Sequence, residues 1–420
     1  MARIAIAGAG LAGRLFAWAL ARAGHAVTVV DAAAGPFTRF DATGPAAFSA
    51  AGMLSPLAEQ EQGGPQVAAW GWRSLQLWQG IVAALAPAAV PFRREGSLLL
   101  AHRGDLGTAQ RVLAVVPGAQ RLEEARLQAL EPALAPGLQG WLLADEGLIA
   151  PVAAMEALYE ATVNVTTAPL SQPVVWCWNS PAAAVRPGVV ELENGACLHA
   201  DWAIDTRGLG AAPALPVRGV RGEIVTLSLP SHGLARPVRL LHPRHRVYLV
   251  PRTPDEVAVG ASEIESEDRS PVSLRSAVEL MAAAHSVLPA LAEARIVRLD
   301  RHLRPALPDN LPRAECEPGL LRLNGLYRHG WLLAPALVEQ LLDEAGLAQV
   351  AQVAQVAHGA QVAQVAHGAQ VANTAHLANA APFAGLAGLG GITGLATLIK
   401  STESLGSSPS SSPLFPEPSP

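Results

Sequence analysis

Gly8-Ala9-Gly10-Leu11-Ala12-Gly13 is the first group in the chain whose residue types and spacing could do chemistry. It follows a short apolar run and opens a helical pattern, the context in which a G-x-G-x-x-G turn reads as a dinucleotide site. Gly8 lets the chain turn tightly, Gly10 admits a pyrophosphate close to backbone N–H groups, and Gly13 lets helix and strand approach. The helix beginning at Leu11 and Ala12 then points its positive end at the phosphates. Asp31, at the tip of a second apolar run, is placed to accept hydrogen bonds from an adenosine ribose, and an acid there repels a 2′-phosphate. These residues fit FAD or NAD but not NADP. A glycine-rich turn without a ligand is the competing reading, and the combination of strand, helix and terminal acid weighs against it.

Other chemistries find little support. Cys177, Cys197 and Cys316 are scattered, with no C-x-x-C pair and no regularly spaced histidines, so neither a disulfide framework nor a zinc site is indicated. Reduced thiols in a cytoplasmic protein fit this usage. His358 and His367 have no third ligand, and no metal site is expected. A net charge of -5, a pI near 6.2 and the near absence of lysine leave no basic face for nucleic acid, which turns attention to small-molecule partners. The apolar stretch Ile4 to Ala21 is interrupted by Arg14 and by glycines, and no unbroken apolar run reaches the roughly 18–20 residues that span a bilayer.

The elements that must carry these groups follow from periodicity. Arg3 to Ala7, Leu11 to Ala23 and Ala26 to Val30 form a strand, helix and strand. From Ala33 to Glu61 the composition is that of a loop with one short helix, and a ligand could lie along it. A helix is expected from Trp70 to Ala86, a strand at Ser97–His102, and short helices at Leu106–Val116 and Leu122–Leu130. Val189–Leu192, the Asn194-Gly195 turn and Leu198–Ile204 read as a hairpin. Gly222–Leu229, Arg239–Leu241, Arg246–Pro251 and Glu256–Gly260 read as strands of one sheet, followed by a helix at Leu274–Leu288. Gly319–Leu323 is a strand, residues 327–330 a turn, and a helix runs from Trp331 to about Ala345. Beyond it Ala348 to Val371 is built of Ala-Gln-Val triplets, too short a repeat for a solenoid, and the end from Ser401 is rich in Ser and Pro.

Six blocks in fixed order are similar to the D-amino-acid-oxidase-like flavoproteins, and within them to the glycine oxidases of thiamine biosynthesis. They are Gly8 to Asp31; Ala50 to Pro56; Val217 to Glu223; Val247 to Arg252 with Val259-Gly260-Ala261; Leu303-Arg304-Pro305 with Pro308-Asp309; and Tyr327 to Pro335. The resemblance implies an α/β fold: a Rossmann-type FAD-binding domain assembled from residues 1–70, 146–215 and 304–346, and an antiparallel-sheet substrate domain from 71–145 and 216–303; residues 347–420, read from their composition as a disordered low-complexity tail, have no counterpart in it. It implies that Arg304 pairs with the substrate carboxylate, that Tyr248 lines the substrate pocket, and that Arg328 is a second active-site arginine. It places Ala51, Gly52 and Met53 against the isoalloxazine, with Tyr327, Arg328, His329, Gly330, Trp331 and Leu332 at the flavin's pyrimidine end. An adenine-contacting strand is implied near Thr162–Ser171. Two positions depart from the family's pattern: Arg246, where a pocket histidine can occur, and Glu263, where a methionine can.

The implied reaction is oxidation of glycine or a similar small amino acid, with hydride transfer from Cα to flavin N5. It yields an imine and then a keto acid, ammonia and, with dioxygen as acceptor, hydrogen peroxide. Two rivals stand beside it: a D-amino-acid or sarcosine dehydrogenase with another electron acceptor, and a flavin-binding protein without turnover. A cytoplasmic location, a possible homo-oligomer and a dispensable segment after about Gly346 complete the expectations.

Overall fold

The structure is a computed structural model that describes residues 1–164, 173–242 and 246–355. Most of Thr162–Ser171, together with His358, His367 and the Ser/Pro-rich end, lies outside those residues.

Apolar β-branched runs at Arg3–Ala7 and Ala26–Val30 flank the helix Leu11–Arg22 and pair in parallel, as the periodicity demands. They sit inside a six-stranded sheet ordered Arg313–Glu317, Leu320–Asn324, Trp202–Asp205, Arg3–Ala7, Ala26–Val30, Val175–Cys177. The pleat sorts its side chains. Ile4, Ile6, Val29 and Ile204 face the helices Leu11–Arg22, Pro151–Val163 and Gly330–Glu344, whereas Ala5, Ala7, Val30 and Ala203 face a meander at Ala182–His199 through Val185 and Val190. Burying each large side chain here stabilises the sheet by about 1.5–3 kcal/mol.

An eight-stranded sheet of mixed pairing builds the second layer system, ordered Arg295–Ala306, Arg218–Ser228, Glu256–Gly260, Arg246–Thr253, Val238–Leu241, Ser97–Ala101, Gln139–Leu143, Gln120–Leu122. Its Val225, Val247, Leu249, Val257 and Val259 pack under the helix Leu274–Val287 through Leu280 and Ala284. The opposite face presents Tyr248, Val250, Ala258 and Ile224 to Ala51 and Met53. The loop that follows the first βαβ unit is thereby pressed against the second sheet.

Four expectations change. Leu198–Ile204 is not one strand: the chain turns at Ala200-Asp201, leaving Cys197–His199 in the meander and sending Trp202–Asp205 into the six-stranded sheet. The helix expected from Trp70 begins at Pro56 and runs to Ala84, with its break at Gly64, where φ is 72°. Arg295–Ala306 is a long strand that crosses the boundary set at residue 303. Packing also continues past Gly346, because His25 Nε2 meets Leu347 O at 2.8 Å and Val350 and Ala354 are buried in the core of the first sheet. Among the described residues no helix is long and apolar enough to cross a membrane.

Candidate active site

Gly13 shows how closely the glycine turn is built. A Cβ there would lie 1.8 Å from Gly8 O and 2.9 Å from Thr206 Oγ1, so only glycine lets the helix sit on the turn. Thr206, from the end of Trp202–Asp205, donates its hydroxyl to Gly8 O at 2.9 Å and Ala7 O at 3.0 Å. Asp31 accepts from Ala9 N at 2.6 Å and from Ala33 N at 2.7 Å, which ties the tip of the second strand to the turn. Above Gly10 the space is open, the nearest atom to a hypothetical Cβ being Pro45 Cβ at 3.9 Å. The helix Leu11–Arg22 starts with no side-chain cap, so its first N–H groups are left to whatever occupies that space.

That space is one end of a cavity of about 1440 Å³, larger than the roughly 300–1,000 Å³ typical of a single small-molecule site. Gly8, Gly10, Leu11, Ala12, Asp31, Ala51, Gly52, Met53, Tyr248, Arg304 and residues 327–332 all line it. Gly13 does not, since its contribution is the contact beneath the turn. Arg252 donates to Ala50 O at 2.6 Å and Ala51 O at 2.7 Å and so holds the loop that ends in Gly52-Met53. Trp331 donates from Nε1 to Ala47 O at 3.1 Å and stacks on Trp78 with centroids 5.4 Å apart, anchoring the start of the helix at Gly330 to the same loop. That helix, Gly330–Glu344, also opens toward the cavity without a side-chain cap.

The far end belongs to the second sheet. Tyr248 and Gly260 are direct cross-strand partners, and a Cβ on Gly260 would lie 2.2 Å from the Tyr248 hydroxyl, so the phenol ring lies across the bare backbone. One strand pair away, Gly222 leaves room for the Arg304 guanidinium, whose Nη2 is 2.3 Å from where a Cβ would stand. Arg304 Nη1 donates to Ser262 O at 3.0 Å, and among the described residues no carboxylate pairs with it. Burial lowers the Arg304 pKa, with Tyr248 opposing, and burial raises the Tyr248 pKa, with Arg304 and three other arginines opposing.

Arg328 is differently placed. Its Nε lies 3.4 Å from Glu59 and its Nη1 3.1 Å from Glu263, and Nη1 also donates to Gln62 at 2.6 Å. Burial works against this cation, but Glu59 and Glu263 raise its pKa overall. Glu59 is pulled the other way: burial favours its protonated form, and Arg328, Arg239 and His329 outweigh it, holding the carboxyl well below the usual range. Burial pushes His329 down to about 4, so its ring is neutral at pH 7. Tyr327 donates to Glu263, and burial together with that bond raises the phenol's pKa. Glu59 held ionised and His329 held neutral are thus not poised to trade protons near neutrality as an unperturbed histidine would.

The sequence reading missed Glu59, because residues up to 61 read as loop. Ser55-Pro56 was the available signal, since proline is favoured in the first turn of a helix. Gly222 and Gly260 stood inside quoted blocks, but their service to Arg304 and Tyr248 depends on cross-strand register. Arg246 and Glu263 both line the cavity, Arg246 in an ion pair with Glu61 at 2.5 Å. No group of three or more metal-binding side chains occurs among the described residues.

Comparison with known proteins finds relatives over most of the chain. Residues 3–343 match the model of the FAD-dependent oxidoreductase family. ThiO of Rhizobium etli, named as a thiamine biosynthesis oxidoreductase, is 37% identical over 354 residues, which cover 82% of this chain and 98% of that one. A glycine oxidase of Bacillus licheniformis is 25% identical over 350 residues, covering 80% of this chain and 91% of its own. The crystal structure of glycine oxidase from Geobacillus kaustophilus superposes with a TM-score of 0.69 at 22% identity, over 82% of this chain and 94% of that one, and shares the fold. With a glycine turn, an acid at the tip of the second strand, two uncapped helix starts and a cavity that joins them to Arg304, the residues fit FAD, and the chain belongs to the family of FAD-dependent oxidoreductases.

Proposed function

We propose that the chain oxidises glycine or a similarly small amine-bearing carboxylate. The observation that carries this reading is Arg304, a guanidinium lining the cavity with one backbone acceptor and no carboxylate partner among the described residues. Its planar fork suits a carboxylate held by two parallel hydrogen bonds. The names of the relatives, a thiamine biosynthesis oxidoreductase and a glycine oxidase, support the choice of amine.

In this reading Gly8, Gly10 and the first N–H groups of the helix Leu11–Arg22 hold the pyrophosphate, and Asp31 holds the adenosine ribose. Ala51, Gly52, Met53 and the Tyr327–Leu332 segment hold the ring system. FAD, when bound, supplies a two-electron acceptor that dioxygen returns to its oxidised form. Arg304 fixes the substrate carboxylate, Tyr248 walls the pocket as a neutral phenol, and the pair orients the Cα–H bond. The open N-terminus of Gly330–Glu344, with Arg328 beside it, stabilises negative charge that develops at that end of the cavity. The amino acid loses two electrons and two protons to give an imine, and water converts the imine to the keto acid and ammonia. With dioxygen as acceptor the electrons leave as hydrogen peroxide. In thiamine assembly the imine is the useful product.

Mixing the purified yellow protein with glycine in the absence of air tests the reading. Bleaching of the visible flavin band, with glyoxylate and ammonia recovered after air is admitted, is the expected result. A flavin that stays oxidised with glycine, sarcosine and D-alanine alike overturns it.

A further inference from the structure

Arg239, Arg246, Arg304 and Arg328 are among the described residues that line the cavity, and three of these four are already matched by protein carboxylates. Arg239 pairs with Glu59 at 2.8 Å, Arg246 with Glu61 at 2.5 Å, and Arg328 with Glu59 at 3.4 Å and Glu263 at 3.1 Å. Arg304 alone of the four keeps only a backbone acceptor, Ser262 O at 3.0 Å. Arg304 therefore offers a cation without a carboxylate partner among the described residues, next to a residue that carries negative charge: Glu263 follows Ser262 directly, lines the same cavity and is held in place by the Tyr327 hydroxyl and Arg328 Nη1.

From this arrangement we infer that Glu263 is a specificity-determining residue that confines the enzyme to substrates with a single acidic group, excluding amino dicarboxylates such as iminodiacetate or D-aspartate. The inference rests on the proposed role of Arg304 as carboxylate anchor. Once a substrate's first carboxylate is on Arg304, a second one needs its own cation. Arg328 is the neighbour, and it has Glu59 on the Nε side and Glu263 on Nη1. A second acid there either meets Glu263 as a like charge or displaces it, stripping the Tyr327 hydroxyl of its acceptor and leaving a carboxylate without a partner. Electrostatic coupling between Glu263 and Arg304 agrees with their closeness, since Glu263 favours the charged guanidinium. A sequence reader sees here only a departure from a family methionine; the structure supplies the neighbours that give the departure a consequence.

The experiment compares anaerobic reduction of the bound flavin by glycine, sarcosine and iminodiacetate in the wild type and in Glu263→Gln, which keeps hydrogen-bonding capacity without charge. Sarcosine should exceed iminodiacetate by about 100-fold in efficiency in the wild type, and the ratio should shrink to about 10-fold or less in the variant. A purely structural role would lower all three rates together and leave the ratio unchanged, and that outcome overturns the inference, as does equal use of sarcosine and iminodiacetate by the wild type. If the variant does not fold, acetate and malonate titrated into the wild-type holoenzyme, followed by perturbation of the flavin absorbance, decide the matter. Malonate should bind at least about 10-fold more weakly, and equal or tighter binding overturns the inference. Should no amine reduce the flavin, the proposed oxidation fails on its own, and the acetate and malonate titrations still judge Glu263.

Discussion

Arg304 lies on the bare Cα of Gly222 and donates to a single backbone oxygen, so the rest of its fork is available to a ligand. A lysine there keeps the charge but loses the planar two-point geometry. Arg304→Lys should lower kcat/KM for glycine by about 100-fold or more while flavin content stays at the wild-type level, as steady-state kinetics and the visible spectrum will show. His329 makes a prediction about pH. Its folded pKa of about 4 lies below the unfolded value near 6.5, so between those limits the unfolded chain binds a proton that the native one refuses. Stability from this residue is therefore present above pH 6.5 and declines as pH falls, by about 2 kcal/mol on reaching pH 5. Denaturant unfolding of His329→Gln at pH 7 and pH 5 should show a smaller difference than the wild type by about that amount. None of this was legible from the residues alone. Arg304, Tyr248 and Arg328 could be singled out only through the family's blocks, and Glu59 not even so, because its importance comes from Arg239, Arg328 and His329 converging on it from distant parts of the chain.

Strands and helices were readable where one face is buried and the other is not. The first βαβ unit matches its periodicity nearly residue for residue. Arg295–Ala306 escaped notice for a physical reason: it is the edge of its sheet, and its first half, with Ile296, Val297 and Leu299 exposed beside Arg295, Arg298 and Asp300, shows no apolar alternation. Its pairing with Arg218–Ser228 nevertheless puts Arg304 opposite Val220 and within reach of Gly222. Register makes glycines into site-forming residues. Gly260→Ala would drive a methyl into the Tyr248 ring, 2.2 Å from its hydroxyl. We expect a loss of about 1–3 kcal/mol in unfolding free energy and a raised KM for glycine, with flavin retained. A variant as stable as the wild type and with unchanged KM would show that Tyr248 moves aside without consequence for the substrate.

At the scale of the molecule, the cavity exists because the loop 46–53 is gripped from both sides, by Arg252 from the eight-stranded sheet and by Trp331 from the helix Gly330–Glu344. The chain's packed part does not end with that helix. Val350 and Ala354 are buried, Ala354 Cβ lies 3.2 Å from where a Cβ on Gly80 would stand, and His25 bonds Leu347 O. A chain ended at Gly346 should therefore lose about 2 kcal/mol relative to one ended at Gln355, measured as a lower Tm in otherwise identical holoenzymes. Equal melting temperatures would show that these contacts add nothing to stability.

By itself the sequence determined the strand-helix-strand start of the chain and its glycine turn, because glycine spacing, a strand-helix-strand period and a terminal acid are local properties that act over about thirty residues. Through six ordered blocks it also determined the family. Tertiary structure alone decided which charges meet. Glu59, Glu263 and Arg328 come from a helix, a loop and a turn far apart in the chain, and an ion pair's effect on pKa depends on distance and burial, neither of which any stretch of sequence contains.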